Sequence, residues 1–262
     1  MEWCSDIRGA SVLNAAQMTN PDDLKQLAPT GKLRGGVVVS PAASAFFAIK
    51  DGKGDVHGVT VDLVRAFAET LKLPLALQVY DNSGQVTDAV AEGDCDVAFM
   101  PQDAERAKKV DFGPAYYFIS STYLVPAGST IKNINEVNRS GVRIVGISNT
   151  TTVRSARRTA PNASVEEVSS VDLMTKMAAT GQGDAFALSH DAFGGLLPKL
   201  PGARVLAGHF QQTGIAVAVP KGRAAALKIA SGLLEDAKTS GLVRRALDRA
   251  GFKDAEVASS SN

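Results

Sequence analysis

Short apolar runs rich in valine and alanine alternate along this chain with segments of helical periodicity, and the series is played twice. Leu33 to Val39 reads as a buried strand. In GVTVDLVRAFAETLKL, the residues Val61, Val64, Phe67, Ala68 and Leu71 recur three or four positions apart, the stripe of an amphipathic helix that closes before Pro74. A strand LALQVY, a helix over SGQVTDAVAEG and a strand CDVAFM follow. Buried strands separated by helices imply parallel pairing, with helices covering the faces of the sheet.

The rhythm restarts after Pro126-Ala127-Gly128. Val142 to Ile147 reads as a strand, TTVRSARRT as a helix, ASVEEV as a short strand, VDLMTKMAAT as a helix and DAFAL as a strand. HDAFGGLLPKL then predicts another helix, ARVLA and IAVAVP two strands, and AAALKIASGLLEDAKTS with LVRRALDRA two closing helices. The similar endings TYLVPAG and AVAVPKG suggest two crossings between lobes. An open parallel sheet gathers ligands at the carboxyl ends of its strands, so two facing lobes place a cleft between them that hinged connections can close. No internal sequence repeat is visible, PDDLKQLA predicts one helical turn in an otherwise irregular start, and Ser259–Asn262 reads as a frayed end.

Composition excludes several classes. The 262 residues amount to between one and two domains at about 150 residues each. Lys and Arg total 28 against 27 Asp and Glu, a net charge of +1, which gives no basic field for nucleic acid. No apolar run reaches the roughly 20 residues of a membrane helix. Two cysteines, Cys4 and Cys95, are too few for a disulfide scaffold, and Cys95 within CDVAFM reads as a buried free thiol. His57, His190 and His209 lack metal-ligand spacing, so neither metal nor cofactor is expected. The start MEWCSDIRGASV does not read as a secretory signal.

Three segments carry chemistry. In PQDAERAKKVDFGPAYY, Asp103 can cap a short helix, and Arg106 follows a strand end where its fork suits a carboxylate. The alternative is a solvated charge paired with Asp103 or Glu105. In VGISNTTTVRSARR, a strand runs into a hydroxyl-rich helix start that favours an anion, with Asn149 tolerating a left-handed turn and Arg154, Arg157 and Arg158 on the solvated side. In DAFALSHDAF, Ser189, His190 and Asp191 follow a buried strand, but adjacent residues cannot form a catalytic triad and no G-x-S-x-G elbow is present. Ser189 reads either as a helix cap or as a ligand contact.

These segments, with GKLRGGVVV, DGKGDVHGVTVDLVRAFAETLKL, GDCDVAFMPQDAERAKKVDFGPAYYFISSTYLVPAGSTI and GQGDAFALSHDAF in that order, resemble the family 3 extracellular solute-binding proteins, the amino-acid-binding components of ABC importers. The most specific element runs from Asp96 through Arg106 to Asp111-Phe112 and Pro114-Ala115-Tyr116. The resemblance implies a periplasmic binding protein type II-like α/β fold, two lobes joined by two hinge strands with a ligand cleft between them. It implies an amino-terminal extension over 1–29, one lobe from 30–125 plus 217–262, and a second from 126–216.

By the same resemblance, Arg106 clamps a ligand carboxylate from one lobe, and Asn149, Thr150 and Thr151 hold it from the other, Asn149 standing where glycine is usual. Phe47 walls the pocket, while Asn82, Ser83 and Gln102 lie on loops that line its side-chain part. Departures are visible too. The loop before Arg106 lacks the family's hydroxyls, Ser189 stands where an aspartate pairs with a ligand ammonium, and Asp191 replaces it only if the loop bulges. The expectation is a monomeric periplasmic protein that binds a small carboxylate-bearing solute without chemistry, partnered by a membrane permease. The alternatives are a cyclohexadienyl dehydratase-like enzyme, for which only Asp103 and Asp191 could serve as acids, and a ligand-sensing domain, for which residues 1–29 are too short to form a helix-turn-helix.

Overall fold

The computed structural model describes residues 20–39 and 46–259, so Cys4 and the last three residues lie outside the described part. Helix α1 (Pro21–Leu27) is nearly two turns where one was expected: Asn20 caps it by accepting from the Asp22 N–H, Pro21 opens it, and Leu27 anchors it in the core. Next come β1 (Leu33–Val38), a small hairpin of β2 (Ile49–Lys50) and β3 (Val56–His57), and α2 (Val59–Leu71), whose predicted stripe is buried throughout. The first half continues with β4 (Leu75–Tyr80), α3 (Ser83–Glu92), β5 (Val97–Pro101) and a single turn, α4 (Ala104–Ala107). It leads into β6 (Val110–Val125), a strand of 16 residues.

The second half holds β7 (Arg143–Ile147), α5 (Thr151–Thr159), β8 (Ser164–Val168), α6 (Val171–Ala179), β9 (Ala185–Ser189), β10 (Arg204–Val205) and β11 (Gln211–Pro220). Helices α7 (Ala224–Thr239) and α8 (Leu242–Arg249) close the chain against the first half. The predicted helix over HDAFGGLLPKL is instead two 3-10 segments, His190–Gly195 and Leu197–Lys199. Gly194, Gly195 and Pro198 interrupt it, because glycine weakens and proline breaks an α-helical turn.

The strands lie in the order β4-β1-β5-β11-β6-β9-β7-β8, with β10 also on β6. Each flank is parallel, as the alternating pattern predicts, but β11 and β6 insert between them as antiparallel neighbours. The β6–β11 ladder runs from Gln211 opposite Ser121 to Pro220 opposite Val110, with register shifts around Ala216. Such irregularities let a paired ribbon bend where it passes from one flank to the other.

A shared device fixes both flanks although the sequence shows no repeat. Arg34 at β1 gives its backbone N–H and Nε to Asp96 Oδ2 at 2.9 and 3.1 Å. Arg143 at β7 gives the same two groups to Asp184 Oδ2 at 2.8 and 3.3 Å. In each case an arginine on the first strand of the flank holds an aspartate just before the strand that pairs beside it. Asp96 is fully buried, which is tolerable only because it is ion-paired and hydrogen-bonded at once. Cys95 next to it is buried, its thiol giving a hydrogen bond to Gln78 Oε1 at 2.7 Å.

Candidate ligand-binding cleft

A cavity of about 470 Å³ opens between the two flanks. Its wall takes Val38, Pro101, Ile147 and Leu188 from the carboxyl ends of β1, β5, β7 and β9, where parallel strands converge on the same edge. Three helix amino termini supply most of the remainder: Asn82 and Ser83 at α3, Thr150 to Thr152 at α5, and Ser169 to Val171 at α6. Each helix is capped by its own side chain, Asn82 taking the Gly84 and Gln85 N–H groups, Thr150 that of Val153 and Ser170 that of Leu173.

The three consecutive threonines divide their work. Thr150 is spent on its helix, accepting from Val153 and donating to the Ile147 carbonyl at 2.7 Å. Thr152 bonds Ser121 Oγ on β6 at 3.1 Å. Thr151 is only 4% exposed, lines the cavity, and its hydroxyl has no partner among the described residues. Asn149 adopts φ +63°, the left-handed turn expected of it.

Arg106 lies behind the Ser83 and Pro101 part of the wall, 3% exposed. Its Nη1 donates to the Pro101 carbonyl at 2.7 Å, and its Nη2 to Ser83 Oγ at 2.8 Å and across the cleft to the Asn149 carbonyl at 3.2 Å. Among the described residues no carboxylate lies within ion-pair distance of it. Burial, and then the nearby Arg154 charge, push the guanidinium down to about 10, so it remains a cation at neutral pH.

Asp103 caps the turn that carries Arg106, accepting from its N–H at 2.9 Å. Its other oxygen receives Arg154 Nε at 2.7 Å and Nη2 as well. Arg154 is therefore paired across the cleft rather than solvated. Periodicity along α5 alone places it one turn from the helix start and cannot show what stands opposite. Arg157 does reach outward, to Glu167, and Arg158 to Ser155.

Of the other residues singled out in the sequence, Phe47, Asn82 and Ser189 line the cavity with Thr150 and Thr151. Ser189 precedes the first 3-10 segment without capping it through its side chain. Gln102 is tied by its backbone to β11, its N–H to the Gly214 carbonyl at 3.0 Å, and faces a second depression beside Phe112. Asp191 lies outside the cavity lining, and its charge helps burial raise the phenols of Tyr116 and Tyr117. Ser121, Ser169, Ser170, Gln85 and Asp81 complete the polar wall without a signal in the sequence pattern. Ser121 and Thr152 meet only because β6 crosses between flanks. Among the described residues no group of three His, Cys, Asp or Glu could hold a metal ion.

Residues 37–251 match the family of bacterial extracellular solute-binding proteins, family 3, which is most of the chain. The chain belongs to this family. The ABC transporter glutamine-binding protein GlnH of Bacillus subtilis (strain 168) is 25% identical over 235 residues, 87% of this chain and 84% of GlnH. The substrate-binding protein of an amino-acid ABC transporter superposes with a TM-score of 0.72 at 23% identity, covering 84% of this chain and 98% of the other. The ancestral amino-acid-binding protein AncCDT-1, a precursor of cyclohexadienyl dehydratase, superposes with a TM-score of 0.70 at 23% identity, covering 86% of this chain and 98% of the other. The fold is that of the type II periplasmic binding proteins, with β6 and β11 as the two connecting strands.

Proposed function

We propose that this protein is the solute-binding component of an ABC importer, working outside the cytoplasm and closing on a small carboxylate-bearing solute without chemical change. The observation that carries this reading is Arg106: a buried guanidinium with no carboxylate partner among the described residues, satisfied only by two carbonyls and a hydroxyl. An uncompensated buried charge is costly, and a ligand carboxylate removes that cost. It would displace the Asn149 carbonyl from Nη2, with the unpartnered Thr151 hydroxyl donating from the opposite flank. Phe47 covers the ligand, and Asn82, with its Oδ1 committed to the helix, offers its amide N–H₂. Gln102 and Asp191 lie outside the cavity lining and carry no ligand contact in this reading.

In this reading one lobe comprises 30–125 and 217–262, the other 126–216, and a monomer presents its closed form to a membrane permease. A dehydratase would need an acid inside the cavity. Asp103 is committed to Arg154, Asp191 is outside the lining, and Asp81 is exposed, which supports binding alone.

The test is a thermal-shift screen of ligand-stripped protein against small carboxylic acids and amino acids. A true ligand at 100 times its Kd adds about 2.7 kcal/mol of stability. The reading fails if no carboxylate raises the melting temperature, or if a hit is bound equally well by Arg106→Ala.

A further inference from the structure

The charges around the cavity narrow the ligand class. Among the described residues a single carboxylate, Asp81, belongs to the wall, and it is exposed. Asp103 is held by Arg154 and by the helix turn it caps. Against this stand one buried cation without an anionic partner, Arg106, and three helices of 10, 9 and 9 residues whose amino termini meet the wall. The positive ends of those helices favour negative charge and oppose a cation.

Resting on the carboxylate reading above, we infer that the solute carries no α-ammonium: it is a carboxylic acid whose α-substituent is hydrogen, hydroxyl, oxo or an acylated nitrogen. A monoanion entering the cleft neutralises Arg106, the one buried cation there without an anionic partner among the described residues, and leaves the exposed Asp81 to solvent. A zwitterion brings the same carboxylate but also an ammonium, which would lose its water among hydroxyls and helix amino termini; among the described residues the lining offers it only the exposed Asp81, with the part-buried Asp191 outside the lining. The hydroxyls of Thr151 and Ser189 line the cavity and have no hydrogen-bond partner among the described residues. A hydroxyl both donates and accepts, so either one suits a neutral substituent.

The experiment titrates the full chain, refolded from denaturant to remove bound solute, with pairs differing at the α-substituent: lactate and alanine, glutarate and glutamate, phenyllactate and phenylalanine. In whichever pair binds, the member without ammonium should bind at least tenfold more tightly, and Ser189→Asp should reverse the order. Tighter binding of the amino acid by the unsubstituted protein overturns the inference and leaves the carboxylate reading standing. Loss of that binding in Asp81→Asn would then name the counter-charge. Binding of neither member of any pair overturns the carboxylate reading and the inference with it. The ratio in the unsubstituted protein decides the matter even if Ser189→Asp does not fold.

Discussion

Arg154 on α5 and Asp103 beside α4 form an ion pair across the cleft, and the same Asp103 caps the turn that presents Arg106. Closure and arginine placement therefore share one carboxylate. Both side chains keep some solvent contact, 26% for Arg154 and 21% for Asp103, so the pair is weaker than a buried one. Asp103→Asn keeps the cap and removes the charge. This substitution and Arg154→Met should each weaken ligand binding by several-fold, with a coupling of roughly 1 kcal/mol that shrinks as salt rises. A double-mutant cycle by titration at low and high ionic strength measures it, and additive single effects would refute the latch.

Arg106→Ala should lower affinity at least tenfold, since truncating one partner of a buried charge pair costs about 2–5 kcal/mol. Arg106→Lys should also fall short, because one ammonium cannot reproduce the planar donation to Pro101, Ser83 and Asn149. Circular dichroism alongside calorimetry separates lost binding from lost fold. Full affinity in a folded Lys variant would show that the fork geometry is irrelevant.

Gly84 sits where the flanks touch. A Cβ there would stand 2.7 Å from Asn149 Cβ, inside any tolerable contact. Gly84→Ala lies in the first turn of α3, where alanine favours the helix. Unliganded stability should hold or rise slightly, while affinity drops at least tenfold and small-angle scattering with ligand shows a larger radius of gyration than the parent protein. Undiminished affinity would mean that the flanks need not approach this closely.

Cys95 should resist thiol reagents in the native state and react only on unfolding, in a Cys4→Ser background. Burial pushes its thiol up from 9.0 to about 11, only partly opposed by the Tyr80 hydrogen bond. The folded protein thus keeps a proton that the unfolded chain releases. That contribution is complete below about pH 9 and is lost as pH rises towards 11. Tyr80 is raised as well, by burial and by Cys95, so it acts with the same sign. Denaturant melts across this range should show a shallower decline for Cys95→Ala, and an equally steep decline would exclude the thiol as its source.

Local pattern made most of the scaffold legible. The stripe of α2, the valine runs of β1 and β7, and the stop at Pro74 each follow from side-chain periodicity and backbone sterics within a few residues. So does the left-handed turn at Asn149, which a short amide side chain tolerates. HDAFGGLLPKL misleads because its apolar spacing is helical, while its glycine pair and Pro198 withdraw the backbone support.

The sequence alone determined the α/β alternation, the two series of elements and the family, and singled out Arg106 as a candidate, because these depend on order and spacing along the chain. Only the tertiary structure decided what that arginine faces. The pairing of Arg154 with Asp103, 51 positions apart, and the meeting of Ser121 with Thr152 arise where β6 and β11 bring the flanks together. It is also the fold that leaves Arg106 without a carboxylate partner and Thr151 without a hydrogen bond among the described residues. Charge balance in a cavity is a sum over elements distant in sequence, and no local pattern contains it.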